Sequence, residues 1–375
     1  MVKILFVSDT FYPRVDGIIR FMEEMYDKLR DKYDITFLVP KLDGGSKKAN
    51  RKKMKVIYCP TFNFSIAEFR PSKPLTSIVK NAIENTDLIF VNTPGGPLGA
   101  SSIYYAKKKN KKIISYAHTL DWELFPFAID RPKLKKIVTP ILKRIYSQSD
   151  LILVPDELIA NEYRKIGITS EFKILPLGAD VRKFKENIFD RFTVRRELGI
   201  DKEFVIGYHG RLSKEKNIKL LVDSFKIFHK KYPDSKLLVL GDGPERDLVK
   251  GDGIISTGFV SNPELYLRVM DCYVLLSKTE TSALSLMEAI SSGIPIISSA
   301  VGLIPTYVND TTGILIEKKD LKKQRVVQSM ESIRNSRFKA KIKTIAARIF
   351  IEKRDWNKIA NELSNIFDKT LVKQT

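Results

Sequence analysis

The chain of 375 residues is poor in the side chains that build metal centres and redox pairs, with 3 histidines, 2 cysteines and 2 tryptophans. Cys59 and Cys272 are far apart and each lies in or beside an apolar run. That excludes a disulfide scaffold and points to buried free thiols in a reducing compartment. His, Cys, Asp and Glu nowhere cluster at metal-ligand spacing, so no metal and no other cofactor is expected. Hydrophobic residues make up 43%, enough for ordinary cores. No run, however, approaches the roughly 18 apolar residues of a membrane span. Residues 1–7 are apolar only until Ser8 and Asp9, and read as a first strand, not a signal peptide. Acidic residues are in deficit: 65 Lys and Arg against 44 Asp and Glu give a net charge of +21. That charge concerns partners, not fold. It gathers at Lys47, Lys48, Arg51, Lys52, Lys53 and Lys55, at Lys107, Lys108, Lys109, Lys111 and Lys112, and at Arg131, Lys133, Lys135, Lys136, Lys143 and Arg144. Solvated surface is the plain reading. Of the functional readings, an anionic membrane face or an anionic substrate fits better than nucleic acid, because the first two clusters contain no stacking aromatics.

What is present is a strand–helix rhythm over a length suited to about two domains. Strands are expected at residues 3–7, 34–39, 56–59, 88–91, 113–117, 151–154 and 173–175, with helices at 18–30, 75–83, 99–108 and 133–147. Residues 176–180 read as a crossover, after which the pattern restarts. Strands follow at 204–207, 236–240, 272–276, 295–298 and 313–316, helices at 218–230, 263–270 and 283–292, and mostly helix from 323 onward. The implied class is α/β: two doubly wound parallel sheets in tandem with a cleft between them. Ligands in such sheets bind beyond the carboxyl ends of the strands.

The most informative stretch is 272–295. A buried strand is followed by a polar turn carrying Glu280, then by a helix holding Glu288, with Ser282 as its expected N-cap and Gly293 and Pro295 as its stop. Carboxylates suit the adjacent hydroxyls of sugars and ribose. The backbone donors of a helix start suit phosphate. A nucleotide sugar offers all of these groups. In Tyr208-His209-Gly210-Arg211 and on to Lys216, Gly210 permits a tight turn after a strand, and Arg211 and Lys216 can neutralise a diphosphate. Taken alone, these two cations read as surface charges; beside Glu280 and Glu288 they read as a site. Gly241-Asp242-Gly243 follows another strand and begins like a dinucleotide fingerprint, but Arg246 stands where the third glycine belongs, which undercuts a nicotinamide-dependent oxidoreductase.

In the first half, Asp16 and Gly17 lie between a strand and a helix, where they suit a phosphate or an acceptor hydroxyl, or simply start the helix. His118 ends a strand facing the expected cleft. Asp121 is either a general base or, more simply, a cap for the next turn. Leu134, Ile137, Val138, Ile141, Leu142 and Ile145 form an apolar stripe on a basic helix interrupted by Pro140. Such a helix more commonly faces a core, and it also suits a membrane surface, a reading that nearby Trp122, Phe125 and Phe127 raise somewhat.

In this order, Gly210-Arg211, Lys216, Gly241-Asp242-Gly243, Gly258-Phe259-Val260, Glu280, Glu288-Ala289, Gly293-Ile294-Pro295 and Thr312-Gly313 resemble the retaining glycosyltransferases of family 4. The resemblance implies the GT-B fold: Rossmann-like domains at 1–177 for the acceptor and 178–354 for the nucleotide sugar, facing across a cleft, with 355–375 crossing back as a helix. It implies catalytic roles for His118, Glu280, Arg211 and Lys216. Gly17, Gly210, Gly241, Val260, Leu284, Ser285 and Glu288 join Arg211, Lys216 and Glu280 around the donor, and Asp16, His118 and Asp121 line the acceptor. Two departures, Asp16-Gly17-Ile18 for a double glycine and Thr281-Ser282-Ala283 for Gly-Phe-Gly, resemble the branch that glycosylates diacylglycerol or related lipids. The expected activity is therefore metal-independent hexosyl transfer, from UDP-glucose as first choice, to a lipid at the cytoplasmic membrane face. A soluble polysaccharide or sugar-phosphate acceptor is the alternative.

Overall fold

The computed structural model describes the chain apart from residues 14, 15, 45–48, 51, 66–68, 75, 124–130, 186, 187, 281 and 373–375. It divides into two compact units, Met1–Leu177 with Trp356–Thr375, and Gly178–Asp355. The first unit runs β1 (Lys3–Val7), α1 (Gly17–Leu29), β2 (Asp34–Pro40), β3 (Lys55–Cys59), α2 (Ser77–Glu84), β4 (Leu88–Val91), α3 (Pro97–Lys108), β5 (Lys112–Tyr116), α4 (Lys135–Tyr146), β6 (Leu151–Val154), α5 (Glu157–Lys165) and β7 (Glu171–Ile174). Among the described residues its strands form one parallel sheet in the order β3-β2-β1-β4-β5-β6-β7. The order reverses between β1 and β4, and that switch point is where a doubly wound sheet opens a crevice at its carboxyl edge.

The second unit runs α6 (Ile188–Glu197), β8 (Phe204–His209), α7 (Ile218–Lys231), β9 (Ser235–Leu240), β10 (Ile254–Gly258), α8 (Pro263–Leu267), β11 (Cys272–Leu275), α9 (Leu284–Ser291), β12 (Ile296–Ser299), β13 (Ile314–Ile316), α10 (Lys323–Asn335) and α11 (Arg337–Glu352). Its sheet, also parallel, has the order β10-β9-β8-β11-β12-β13, with the switch point between β8 and β11. Entry and exit of this unit are tied together: Ala179 donates to the Arg354 carbonyl at 2.9 Å and bridges Asp355. The chain then returns to the first unit as α12 (Trp356–Val372). Phe367 of α12 packs on Phe90 at 5.4 Å between ring centres, and Phe90 on Phe6 at 4.8 Å, so the helix seals the apolar face of β1 and β4. Lys32 and Tyr33 anchor it further through Asp368 at 2.6 and 2.7 Å.

These boundaries correct several expectations. β10, α5 and α6 were not expected. β10 reads Ile-Ile-Ser-Thr-Gly and is an edge strand without the fully buried apolar run that marks β4, β6 and β11. The helix expected over 263–270 stops at Leu267, and that expected over 75–83 starts at Ser77, residue 75 lying outside the described residues. Both cysteines are free and buried, and burial pushes both thiols up. Among the described residues no helix is long and apolar enough to cross a membrane.

Candidate active site

In the second unit the carboxyl edge beside the β8–β11 switch point gathers the expected donor residues. β8 ends at His209, and Gly210 turns the chain at φ +144°, a conformation that a side chain would strain. The Tyr208 hydroxyl donates to the Arg211 carbonyl at 2.6 Å, and the Tyr273 hydroxyl to the His209 carbonyl at 2.9 Å, so two buried phenols hold this loop in place. Arg211 is half-buried. Lys216, on the short turn Lys214–Lys216, reaches back to Glu280, with Nζ 2.5 Å from Oε1. The same Oε1 accepts from Ser277 at 2.8 Å. Oε2 is thereby left to accept from ligand hydroxyls, and the Lys216 ammonium keeps two further donors. Glu288 lies on the first turns of α9, with Oε2 3.3 Å from His209 Nδ1. His209, quoted within its motif but not singled out in the sequence, thus stands between the glycine turn and the second carboxylate.

α9 starts differently from the expectation. Ser282 is not its cap: Ala283 occupies the N-cap position at φ 48°, ψ 63°, and the Ser282 hydroxyl is buried without a partner. Thr281 lies outside the described residues. The Tyr307 hydroxyl donates to the Ser282 carbonyl at 2.7 Å, which fixes the turn. The intrahelical bonds begin at Leu286 and Met287, both onto the Ala283 carbonyl. Helix geometry therefore aims the Leu284 and Ser285 amides outward, as an anion site needs. A Cβ placed on Gly210 would come within 3.9 Å of the Ser285 hydroxyl, so turn and helix start are neighbours. Gly241 has a packing role beside the one expected. A Cβ there would collide with the Gly210 carbonyl oxygen, and one on Gly243 with that of Leu212. These glycines let the two loops touch, joined by Gly210 to Leu240 and Leu212 to Asp242 at 2.9 Å each. Val260 follows β10 and is half-buried.

In the first unit the β1–β4 switch point carries a different chemistry. His118 follows β5, is 6% exposed, and packs on Tyr116 and Phe21 with ring centres 3.9 and 5.3 Å away. Burial lowers its pKa to about 3, so the imidazole is neutral. Nε2 lies 3.3 Å from Asn92 Oδ1, which makes Nε2 the protonated nitrogen, while Nδ1 and the Asn92 amide nitrogen have no partner. Asn92, the first polar residue after β4, was missed; that position was its only sequence signal. Asp9, two residues beyond β1, was missed too. It accepts from the Leu98 and Gly99 amides at 2.8 and 2.9 Å, capping α3 from a distance. Burial raises its pKa to about 6 against the pull of those bonds.

Two residues expected at the acceptor are held by bonds within the chain. Asp16 is the N-cap of α1: Oδ1 accepts from the Ile18 and Ile19 amides at 3.1 and 3.0 Å and Oδ2 from Thr10 at 2.9 Å. A carboxylate already fills that helix start, which argues against a phosphate beside Gly17, the first residue of α1. Asp121 is held by side-chain bonds, and the turn it was expected to cap runs into residues 124–130, outside the described residues. Its oxygens accept from Thr119 and Tyr146, both at 2.6 Å, and burial raises its pKa. Trp122 is likewise 2% exposed against Tyr163, not an interfacial aromatic, and Phe125 and Phe127 lie outside the described residues. Lys47, Lys48 and Arg51 of the first basic cluster do as well, while Lys52 and Lys55 pair with Asp27 and Asp34 at 2.7 and 2.5 Å. Among the described residues no three His, Cys, Asp or Glu side chains converge as metal ligands.

Residues 15–183 match the family model described as Glycosyltransferase Family 4, and residues 190–348 that described as Glycosyl transferases group 1. The chain belongs to the family 4 glycosyltransferases. This glycosyltransferase is 31% identical to the alpha-monoglucosyldiacylglycerol synthase of Acholeplasma laidlawii over 220 residues, 55% of each chain. It is 25% identical over 328 residues to the enzyme of the same name from Streptococcus pneumoniae, covering 81% of this chain and 72% of that one. With sulfoquinovosyl transferase SQD2 of Arabidopsis thaliana it shares 27% over 296 residues, 74% of this chain and 56% of that one. The matches thus span little more than half the length of two of these three relatives. In fold, it resembles Anabaena Alr3699/HepE, solved with UDP and glucose, at a TM-score of 0.81 and 16% identity over 98% of this chain and 100% of that one. Sucrose-phosphate synthase of Thermosynechococcus elongatus follows at 0.75 and 16%, with both chains fully covered. The two Rossmann-like sheets are those of GT-B glycosyltransferases.

Proposed function

We propose that this glycosyltransferase moves a hexose, with glucose from UDP-glucose as the first candidate, onto a membrane lipid such as diacylglycerol, with retention and without a metal. The observation that carries the reading is the Lys216–Glu280 pair at 2.5 Å beside Arg211, Glu288 and the start of α9. Arg211, Lys216 and the Leu284 and Ser285 amides meet the diphosphate, Glu288 the ribose, and the open oxygen of Glu280 the sugar hydroxyls. Fixed charges and dipoles of this kind stabilise a departing diphosphate with little reorganisation. The bond from the anomeric carbon to the diphosphate breaks, and the acceptor oxygen bonds to that carbon on the same face. The acceptor's proton passes to a diphosphate oxygen. Neutral His118 offers hydrogen bonding on the acceptor side, not an acid.

The lipid acceptor is supported by relatives named for monoglucosyldiacylglycerol synthesis and by α4. That helix buries Leu142 and Tyr146, yet leaves Ile137 and Ile141 60% and 55% exposed among Lys135, Lys136, Lys143 and Arg144. Such a helix suits peripheral attachment to an anionic inner leaflet. A panel of radiolabelled UDP- and GDP-sugars, incubated with diacylglycerol vesicles and extracted with organic solvent, tests the reading. Label from UDP-glucose in the organic phase is expected. Label entering only soluble sugars, or none entering lipid from any donor, overturns the lipid assignment.

A further inference from the structure

α11 has an apolar face that none of the described residues covers. Its inner side is core: Thr344, Ala347 and Ile351 are buried where the helix packs on α9 and α10. Its outer side presents Phe338, Ile342, Ile345 and Ile349, exposed by 80, 53, 60 and 59%. Spacings of four, three and four residues place all four on one stripe, since successive residues turn by about 100°. The same rotation sets Lys339 along one margin and Arg337, Lys341 and Arg348 along the other, with Lys343 further round. The helix has five basic residues and one acidic residue, Glu352, which pairs with Arg348 at 3.3 Å. Single exposed apolar residues are ordinary, but a continuous stripe on a soluble domain marks a contact surface.

The composition of the margins selects the partner. A second copy of the chain would set these cations against their own counterparts, which is unfavourable. A single-stranded nucleic acid would find one stacking ring and three isoleucines without a planar face. An apolar stripe between basic margins matches an anionic bilayer, whose acyl boundary takes the stripe and whose lipid phosphates take the margins. We propose that α11 docks the nucleotide-sugar unit on an anionic membrane, as a contact separate from α4. This extends the proposed function and rests on it only in taking a lipid bilayer as partner.

The test uses the full chain and vesicles of phosphatidylcholine with or without phosphatidylglycerol. Both native tryptophans, Trp122 and Trp356, are buried, so Ile345→Trp adds a reporter on the stripe. Its emission is expected to shift to the blue on anionic vesicles and not on neutral ones. F338Q/I345Q is expected to weaken partition into anionic vesicles by about tenfold or more. Its affinity for UDP, measured by calorimetry, should stay within twofold of wild type, which reports on fold and donor site independently. Unchanged emission of Ile345→Trp on vesicles that sediment the protein overturns the proposal, as does wild-type partition by F338Q/I345Q. Concentration-dependent dimerisation of wild type that F338Q/I345Q abolishes overturns it in favour of a second copy. Failure of wild type to bind any vesicle removes this proposal and the lipid acceptor together, while UDP binding still judges the donor site.

Discussion

Burial fixes the protonation of two groups at the carboxyl edge of the first sheet, in opposite senses. His118, at a pKa of about 3, is neutral throughout the physiological range. The profile of kcat/KM against pH is therefore expected to carry no limb near pH 6.5 from this ring. The check compares wild type with His118→Asn: the two profiles should have the same limbs, and a limb present in wild type but absent in the variant would contradict the assignment. Asp9 has its pKa raised from 3.8 to about 6. Below the unfolded value both states hold the proton and its favourable contribution is complete. As pH rises through the folded value, the unfolded chain gives up its proton more readily and stability falls, by on the order of 3 kcal/mol. Asp9→Asn should thus unfold more easily at pH 4, having lost part of the α3 cap, yet show a flatter loss between pH 4 and 7. Urea midpoints at the two pH values measure this. Neither network was legible in the sequence, because each joins residues on different strands and loops. Asn92 and His118 stand 26 positions apart, and Asp9 and Gly99 stand 90 apart.

At the scale of elements, the turn into α9 stores strain. Ala283 is in the left-handed region at φ 48°, where a Cβ costs roughly 1 kcal/mol. Ala283→Gly is expected to stabilise the second unit by up to about 1 kcal/mol, the relief being partly offset by the freer unfolded chain. Thermal unfolding should shift upward by a few degrees, and a downward shift would show that the Ala283 methyl packs usefully. The sequence placed this helix but misjudged its start, because a serine before an apolar run is a strong cap signal and the left-handed alanine has no local signature. The strands of both sheets were legible where apolar runs are bounded by turn residues, as in β1, β4, β6 and β11, which are almost wholly buried. β10 was not, being a half-buried edge. α11 was read only as helix; its outward apolar stripe looks in sequence like any core-facing one, and only exposure shows which side is which.

For the whole molecule, the sheet orders and the charge point the same way. Each unit reverses its strand order once: Gly210, Arg211, Glu280 and Glu288 lie by β8 and β11 at one reversal, Asn92 by β4 at the other, and His118 one strand further along, after β5. The cluster at the edge of the second sheet was legible because its groups are carried by local motifs within single loops. The first unit was legible only as a position, and the bonds that hold Asp16 to Thr10 and Asp121 to Tyr146 join parts of the chain that the sequence alone does not bring together. A net charge of +21 favours the arrival of an anionic donor and of an anionic membrane alike. The most direct measurement is a calorimetric titration of UDP into wild type, Arg211→Ala and Lys216→Ala. Wild type is expected to bind, and each variant to bind at least about tenfold more weakly, as loss of a charge-assisted phosphate contact requires. No heat of binding for UDP or GDP with wild type, or undiminished affinity in both variants, would contradict a diphosphate held by these two cations.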